Sequence, residues 1–320
     1  MLISILIPCY NAESTIAATI ESALSQDVER EIIVINDGST DRSAQIIASF
    51  GNHIRAEHGP NRGVSAARNK GGELARGIFL QYLDSDDLLA PGTLRQRLDV
   101  LLSSGADAAY TDWQKLVEMP DHSFALGDVM VPEPSLLEED AEAACADSRF
   151  WVPPAAILYR RDIVDRAGGW RPDFPIVEDA HFLFSVATLN ASFVHVPGVG
   201  AFYRVRADSL SRQSRAKFIH YCFMNAREIE ASWRERNALT TPRVEVLRSM
   251  WRHAAIAALV EASPDFEAAR HKHNAAGRRR FAIEAGWILR RFLGPKGASA
   301  VARSELERRA IRINRRPGCS

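Results

Sequence analysis

Residues 78–83, Ile-Phe-Leu-Gln-Tyr-Leu, are apolar on both alternating faces except at Gln81, and they stop at Asp84-Ser85-Asp86-Asp87. A strand that is apolar on both faces must be covered on both, so the chain has to supply helices above and below it. The three carboxylates at its end add a second constraint. In extended backbone, alternate side chains share a face, so Asp84 and Asp86 point the same way. Two anions held that close repel by several kcal/mol at intermediate dielectric. Either water screens them, or a divalent cation with a preference for oxygen ligands, Mg2+ or Mn2+, sits between them.

The first hundred residues alternate strand and helix. Residues 2–8 and 31–36 are short apolar runs suited to buried strands. Between them, residues 13–26 place Ile16, Ile20 and Leu24 one helical turn apart. Ser39 or Thr40 can cap a helix running to about residue 50. A weak strand near Ile54, a helix over 64–75 and the strand 78–83 complete the series. This βα alternation predicts an α/β fold, with a mostly parallel, Rossmann-like sheet flanked by helices. Ligands of such sheets bind beyond the carboxyl ends of the strands. Pro8-Cys9-Tyr10-Asn11, Asp37-Gly38-Ser39 and residues 84–87 all fall on that rim.

Beyond residue 106 the pattern loosens. Strands are expected over 108–113, 114–117, 155–159 and 192–204, a helical turn over 163–167 and a helix over 178–189, with 119–134 rich in loop. From residue 214 the period is helical, over 216–236, 242–262, 266–292 and 300–313. The expected units are 1–105, 106–212 and a helical C-terminal extension, 213–320. Net charge over the 320 residues is zero, yet residues 270–320 hold fourteen Lys/Arg against three Asp/Glu. A basic tail of this kind suits an anionic surface. Within it, Trp287-Ile288-Leu289-Arg290-Arg291-Phe292-Leu293 mixes aromatic, aliphatic and basic residues as interfacial helices do. The same charge could attract nucleic acid, but no recognition module accompanies it, so none is expected as a partner. Four scattered cysteines without a CxxC pair fit a reducing cytoplasm. No signal-peptide pattern and no membrane span are evident, so a cytoplasmic chain touching the inner membrane face is the expectation.

Four blocks on the rim, read in order, narrow the function: residues 4–11 (SILIPCYN), 33–41 (IVINDGSTD), 63–69 (GVSAARN) and 83–87 (LDSDD). Together they resemble the inverting glycosyltransferases of family 2, which have the GT-A fold. The resemblance is close over residues 1–95 and more diffuse to about 212. It implies a nucleotide-sugar donor, usually a UDP-sugar, and an acceptor that is a saccharide or a lipid-linked saccharide of cell-surface polysaccharide synthesis. Asp37 matches the carboxylate that accepts the uracil N3–H. Tyr10 matches residues against base and ribose, with Pro8 and Glu13 bordering the pocket. Arg68 would contact the nucleotide or its phosphates. Asp84 and Asp86 match the metal-binding pair, with Asp86 as the direct ligand of Mn2+ or Mg2+, whose charge would stabilise the departing diphosphate.

The resemblance extends to Glu178-Asp179 at a helix start. It makes Asp179 the general base for the acceptor hydroxyl, with Glu178 orienting it. Trp151 and Trp170 fall in segments the family uses around the acceptor. Residues 203–211 resemble a loop that closes over the donor, with Arg206 where many members carry His; Arg can grip a diphosphate but cannot ligate a metal. Asn36 stands where Asp is common, which removes a charge beside Asp37. These two departures motivate the rival reading, a glycosyltransferase-like binding module whose working part is the basic tail. A nucleotide-sugar pyrophosphorylase would open with a Gly-rich phosphate loop, and residues 1–20 contain no Gly. A glycoside hydrolase also uses two carboxylates but needs no nucleotide pocket.

Overall fold

The computed structural model describes residues 1–147, 150–206, 214–275, 283, 290–291 and 293–304. The chain forms two compact units, residues 1–209 and 210–320.

The first unit is built on one sheet of nine strands. It opens with β1 (Ile3–Cys9), α1 (Ile16–Leu24), β2 (Arg30–Asp37), α2 (Ser43–Ser49), β3 (Arg55–Gly59), α3 (Val64–Leu74) and β4 (Phe79–Tyr82). These four strands lie parallel in the order β3-β2-β1-β4. All seven residues of β1 are buried, which explains why Ile-Ser-Ile-Leu-Ile-Pro-Cys shows no polar alternation. β3 lies at the open edge and is exposed throughout, so its sequence carries only a weak strand signal. α2 starts later than expected, since Asp41 rather than Ser39 or Thr40 accepts from the Ser43 amide (2.9 Å).

The second half adds β5 (Leu88–Leu89), α4 (Thr93–Ser104), β6 (Ala108–Glu118), β7 (Phe124–Met130), α5 (Pro134–Ala146), β8 (Ile157–Arg160), α6 (Arg161–Arg166), α7 (Glu178–Ala187) and β9 (Phe193–Val205). The parallel sense ends at β4. β8 runs antiparallel between β4 and β6, while β9 runs parallel to β6 and antiparallel to β5. Residues 108–118 form one strand where two were expected. Part of the segment expected as loop is strand β7, paired antiparallel to β6. β7 has one paired edge and mostly exposed side chains, so no two-residue pattern marks it. α5 was not foreseen: its buried residues are Glu142, Ala143, Ala144 and Cys145, without a leucine stripe, and its backbone departs from helix at Asp140.

Two buried contacts add to the β4–β8 ladder that joins the halves. Arg97 of α4, fully buried, donates to Gln81 Oε1 of β4 (2.6 Å), to the carbonyls of Ala155 (3.0 Å) and Gly200 (2.9 Å), and to Thr93 Oγ1 (3.1 Å). Gly200 packs against the hydroxyls of Thr93 and Thr111, leaving no room for a Cβ.

The second unit contains α8 (Arg215–Glu235), α9 (Thr241–Val260) and α10 (Phe266–Ala275). Ser214 and Thr240 cap the first two helices, and Pro242 occupies the first turn of α9. Trp233, Trp251 and Phe266 fill their core, where buried Glu230 accepts from Trp251 Nε1 (3.1 Å) and pairs with Lys272 (3.0 Å) and Arg234 (2.7 Å). Residues 276–282, 284–289 and 305–320 lie outside the described set, and with them most of the expected interfacial segment 287–293 and the end of the 300–313 helix. No described helix is long and apolar enough to cross a membrane.

Candidate active site

The three rim segments meet as the parallel topology demands. Asp37 ends β2, and its two carboxylate oxygens accept from the amides of Arg62 and Gly63 (2.8 Å each), which fixes the loop entering α3. Gly38 (φ +75°) turns the chain beside that loop, where a Cβ would meet the Asn61 amide at 2.6 Å. Each Asp37 oxygen keeps a second lone pair. Asn36 serves the same turn, its amide Nδ2 lying 3.1 Å from His58 Nδ1 and its Oδ1 accepting from the Ser39 amide (3.1 Å). An Asp here would give up the Nδ2 donor.

Tyr10 is half exposed on this rim rather than packed in the core, while Pro8 behind it is buried in β1. Glu13, expected at the pocket border, accepts from the Arg42 amide (3.0 Å) and pairs with its Nε (3.2 Å). It ties α1 to α2.

At the end of β4 the chain turns through Asp84–Asp87, with the Asp87 amide donating to the Asp84 carbonyl (2.9 Å). Thr19 of α1 pins this corner, its hydroxyl lying 3.0 and 2.9 Å from the carbonyls of Ser85 and Asp87. Arg204 of β9 holds the other side: its amide donates to Asp87 Oδ1 (2.9 Å) and its Nη1 to the Asp86 carbonyl (2.6 Å). Asp87 is therefore a buried anchor. Burial and the neighbouring Asp84 push the Asp86 carboxyl up to about 6, against the pull of Arg206 and Arg204. Arg206 also donates to Ser14 Oγ (3.3 Å). Residues 207–211 of the expected closing loop lie outside the described residues.

Arg68 departs from expectation. Its side chain is 2% exposed, with Nη2 on Asp84 Oδ1 (2.5 Å) and Nη1 on Glu178 Oε1 (3.0 Å). Both terminal nitrogens are committed to carboxylates, so it does not offer a fork to a phosphate. Trp170, expected at the acceptor, is also buried. It stacks on Phe182 (4.2 Å, 15°) beneath the Arg68 guanidinium (4.1 Å). Asn69 fixes its backbone through both amide and carbonyl.

α7 opens directly on Glu178-Asp179. Val177 before it adopts a left-handed conformation (φ 70°, ψ 14°), costly for a β-branched residue. Burial pushes the Glu178 carboxyl up to about 7 against the pull of Arg68. Asp179 is raised by the same cause; its Oδ2 accepts from Trp151 Nε1 (2.8 Å) and its Oδ1 from the Ala180 amide (2.7 Å). Trp151 packs edge-on against Trp113 (5.1 Å) and Tyr203 (5.3 Å). Tyr203 therefore touches the indole that holds Asp179 and precedes Arg204, which holds Asp87, and its hydroxyl is raised first by burial and then by these carboxylates. Thr19, Trp113, Tyr203 and Arg204 were missed as site residues. Tyr203 and Arg204 begin the motif assigned to the closing loop, but nothing in the sequence marks Thr19 or Trp113.

Among the described residues no three His, Cys, Asp or Glu side chains group as metal ligands. A divalent ion of the Mg2+ kind needs fewer, because one or two carboxylates and substrate phosphates complete its sphere. Asp86 and the neighbouring Asp84, of which Oδ1 is given to Arg68, fit that demand by their place at the end of β4.

A parallel βα half ending in a carboxylate corner, joined to a mixed half carrying a second carboxylate pair, is the architecture of GT-A glycosyltransferases. The model of glycosyl transferase family 2 matches residues 4–167, just over half of the chain, and the chain belongs to that family. It is 28% identical to EpsH of Bacillus subtilis over 270 residues, 81% of this chain and 77% of that protein. To the succinoglycan biosynthesis protein ExoO of Rhizobium meliloti it is 28% identical over 227 residues, 68% of this chain and 64% of that one. The chain spans only 34% of the glycosyltransferase YibD of Escherichia coli and 63% of EpsJ of B. subtilis. Among solved structures, S. aureus TarS 1-349 in complex with UDP superposes with a TM-score of 0.58 at 19% identity, over 90% of this chain and 91% of that one. The mannosyltransferase PcManGT of Pyrobaculum calidifontis, in complex with GDP-Man and Mn2+, gives 0.56 at 18%, over 94% and 85%.

Proposed function

We propose that the chain transfers a sugar from a UDP-sugar to a hydroxyl of a saccharide or lipid-linked acceptor in polysaccharide synthesis, with inversion at the anomeric carbon. The observation that carries this reading is the pairing of two carboxylate clusters, one at the end of β4 and one at the start of α7, with Arg68 bonded to both and Tyr203 packed on the Trp151 that holds Asp179. Tyr10 offers an exposed ring for a base, and Asp37 a spare lone pair on each oxygen for the uracil N3–H. TarS has also been solved with UDP-GlcNAc, which favours uridine, whereas PcManGT holds a guanosine donor.

Asp179 takes the proton of the acceptor hydroxyl while that oxygen bonds to the anomeric carbon. The bond to the diphosphate breaks on the opposite face, and UDP leaves with the electron pair. Burial raises Asp179, which strengthens it as a base, and Trp151 holds the carboxylate by one oxygen. Arg206 lies at the donor side, where its charge offsets the leaving diphosphate. A divalent cation held by Asp86 and Asp84 would supply further neutralising charge there.

The test is calorimetry of UDP and GDP binding with and without Mn2+, on wild type and Asp86→Ala, followed by a screen of nucleotide sugars for release of nucleoside diphosphate. Metal-enhanced UDP binding lost in Asp86→Ala, with turnover of at least one UDP-sugar, is expected. Asp86→Ala binding UDP like wild type, with no turnover, would sink the reading and leave the binding-module alternative.

A further inference from the structure

Arg68 is the one buried cation that touches both carboxylate clusters among the described residues. From α3 its planar guanidinium reaches Asp84 at the end of β4 (2.5 Å) and Glu178 at the start of α7 (3.0 Å). Its flat face rests on Trp170 at 4.1 Å, and Trp170 stacks on Phe182 of α7. The next residue of α3, Asn69, clamps the Trp170 backbone at 2.7 and 2.8 Å. One helical turn therefore grips the acid corner, the segment before α7 and α7 itself.

We infer that Arg68 is a positioning residue: it sets the separation between the donor's diphosphate seat and the acceptor base, and touches neither substrate. A guanidinium suits this task because its two terminal nitrogens diverge in a fixed plane, so two carboxylates bound to them have a fixed spacing. Lysine carries a single point of charge on a flexible stem and fixes no such spacing. Burial adds to the constraint: a guanidinium with no access to water depends on both carboxyl groups as acceptors, so removing either leaves a buried donor short of its partner. The catalytic half of this inference rests on the reading of Asp179 as the base; the bridge itself does not.

Two measurements on the full chain test it. In steady-state transfer, Arg68→Lys is expected to lower kcat about 100-fold, the scale of an ångström of misplacement, while KM for the UDP-sugar stays near that of wild type. A raised KM with kcat unchanged would make Arg68 a nucleotide ligand, and a variant equal to wild type would make it idle; either overturns the inference. Should Arg68→Lys not fold, Glu178→Gln leaves Arg68 on Asp84 and is expected to show the same split, with a raised KM again the overturning result. The second measurement needs no substrate. Unfolding midpoints of Asp84→Asn, Glu178→Gln and the double variant are expected not to add, because both side chains share one partner, and to become additive in the Arg68→Lys background. Additivity with Arg68 present overturns the bridge. Non-additivity without turnover of any nucleotide sugar keeps the bridge and removes the proposed function instead.

Discussion

The acid corner after β4 and the start of α7 each present adjacent carboxylates, but they are held by different kinds of contact. The corner is fastened largely through its backbone: Thr19 lies on two of its carbonyls and Arg204 takes a third, while Asp84 and Asp87 each give one carboxylate oxygen, to Arg68 and to the Arg204 amide. The carboxylate of Asp86 is left at the rim, raised to about 6 by burial and its anionic neighbour. At α7 the side chains themselves are fastened, Glu178 by Arg68 and Asp179 by the Trp151 indole. A site that must bind and release a charged leaving group needs a carboxylate able to change partners, the part left to Asp86. A base needs its carboxylate held still. The sharpest test of that division is Asp179→Asn, expected to reduce transfer about 10²–10⁴-fold while calorimetric UDP affinity remains that of wild type. A matching loss of nucleotide affinity would erase the distinction between the two clusters.

Below the rim, the two halves of the sheet are joined by a second arginine of opposite character. Arg68 meets two carboxylates, whereas Arg97 meets only neutral oxygens, those of Gln81, Ala155, Gly200 and Thr93. Arg97→Leu is expected to destabilise the chain by about 3 kcal/mol, because it takes the donor from buried Gln81 Oε1 and removes the bonds that tie the Ala155 and Gly200 carbonyls to α4. Denaturant midpoints measure this. An unchanged midpoint would mean that the β4–β8 ladder and apolar packing join the halves without help from Arg97.

The difference between the clusters also has a pH signature. The Glu178 carboxyl titrates near 4.5 in an unfolded chain and is pushed up to about 7 in the fold. Between those values the folded chain holds a proton that the unfolded chain has lost. Stability therefore falls as pH rises through this window and stays lower above it, with Asp86 acting in the same direction. Melting is expected at a higher temperature at about pH 5 than at about pH 7.5, and Glu178→Gln should flatten that difference. A slope of the opposite sign would show that Arg68 outweighs burial.

The parallel half was legible because its demands are local. A strand buried on both faces is nearly all apolar, as in β1, and a tight rim turn at positive φ with backbone close by needs Gly, as at Gly38. The mixed half answers to partners distant in sequence. β7 is specified by its pairing to β6, and α5 by a kink and small buried residues, so neither writes a period into the chain. Within the site, residue identities could be read but their neighbours could not. Arg68 reads as a contact to the nucleotide or its phosphates and Trp170 as an acceptor residue, because nothing in the sequence shows that they stack on each other or that Arg68 bridges residues 84 and 178.

Val177 brings the comparison down to a single backbone angle. The corner turns through Asp84–Asp87 without a residue at positive φ, whereas α7 is entered through a valine at φ 70°. A left-handed conformation costs an L-residue about 1–2 kcal/mol. That cost is sustained by the contacts beyond it, since the Val177 carbonyl accepts the first helical bond, from the His181 amide (3.1 Å), and Glu178 is locked to Arg68. Val177→Gly removes the strain but also frees the unfolded chain, so the net gain in stability is expected to be small, at most about 1 kcal/mol. Turnover should fall at the same time, because Glu178-Asp179 would then hang from a hinge instead of a strained, fixed entry. If the glycine variant is both more stable and as active as wild type, the valine is merely tolerated, and rigid fastening of the α7 carboxylates owes nothing to the backbone that precedes them.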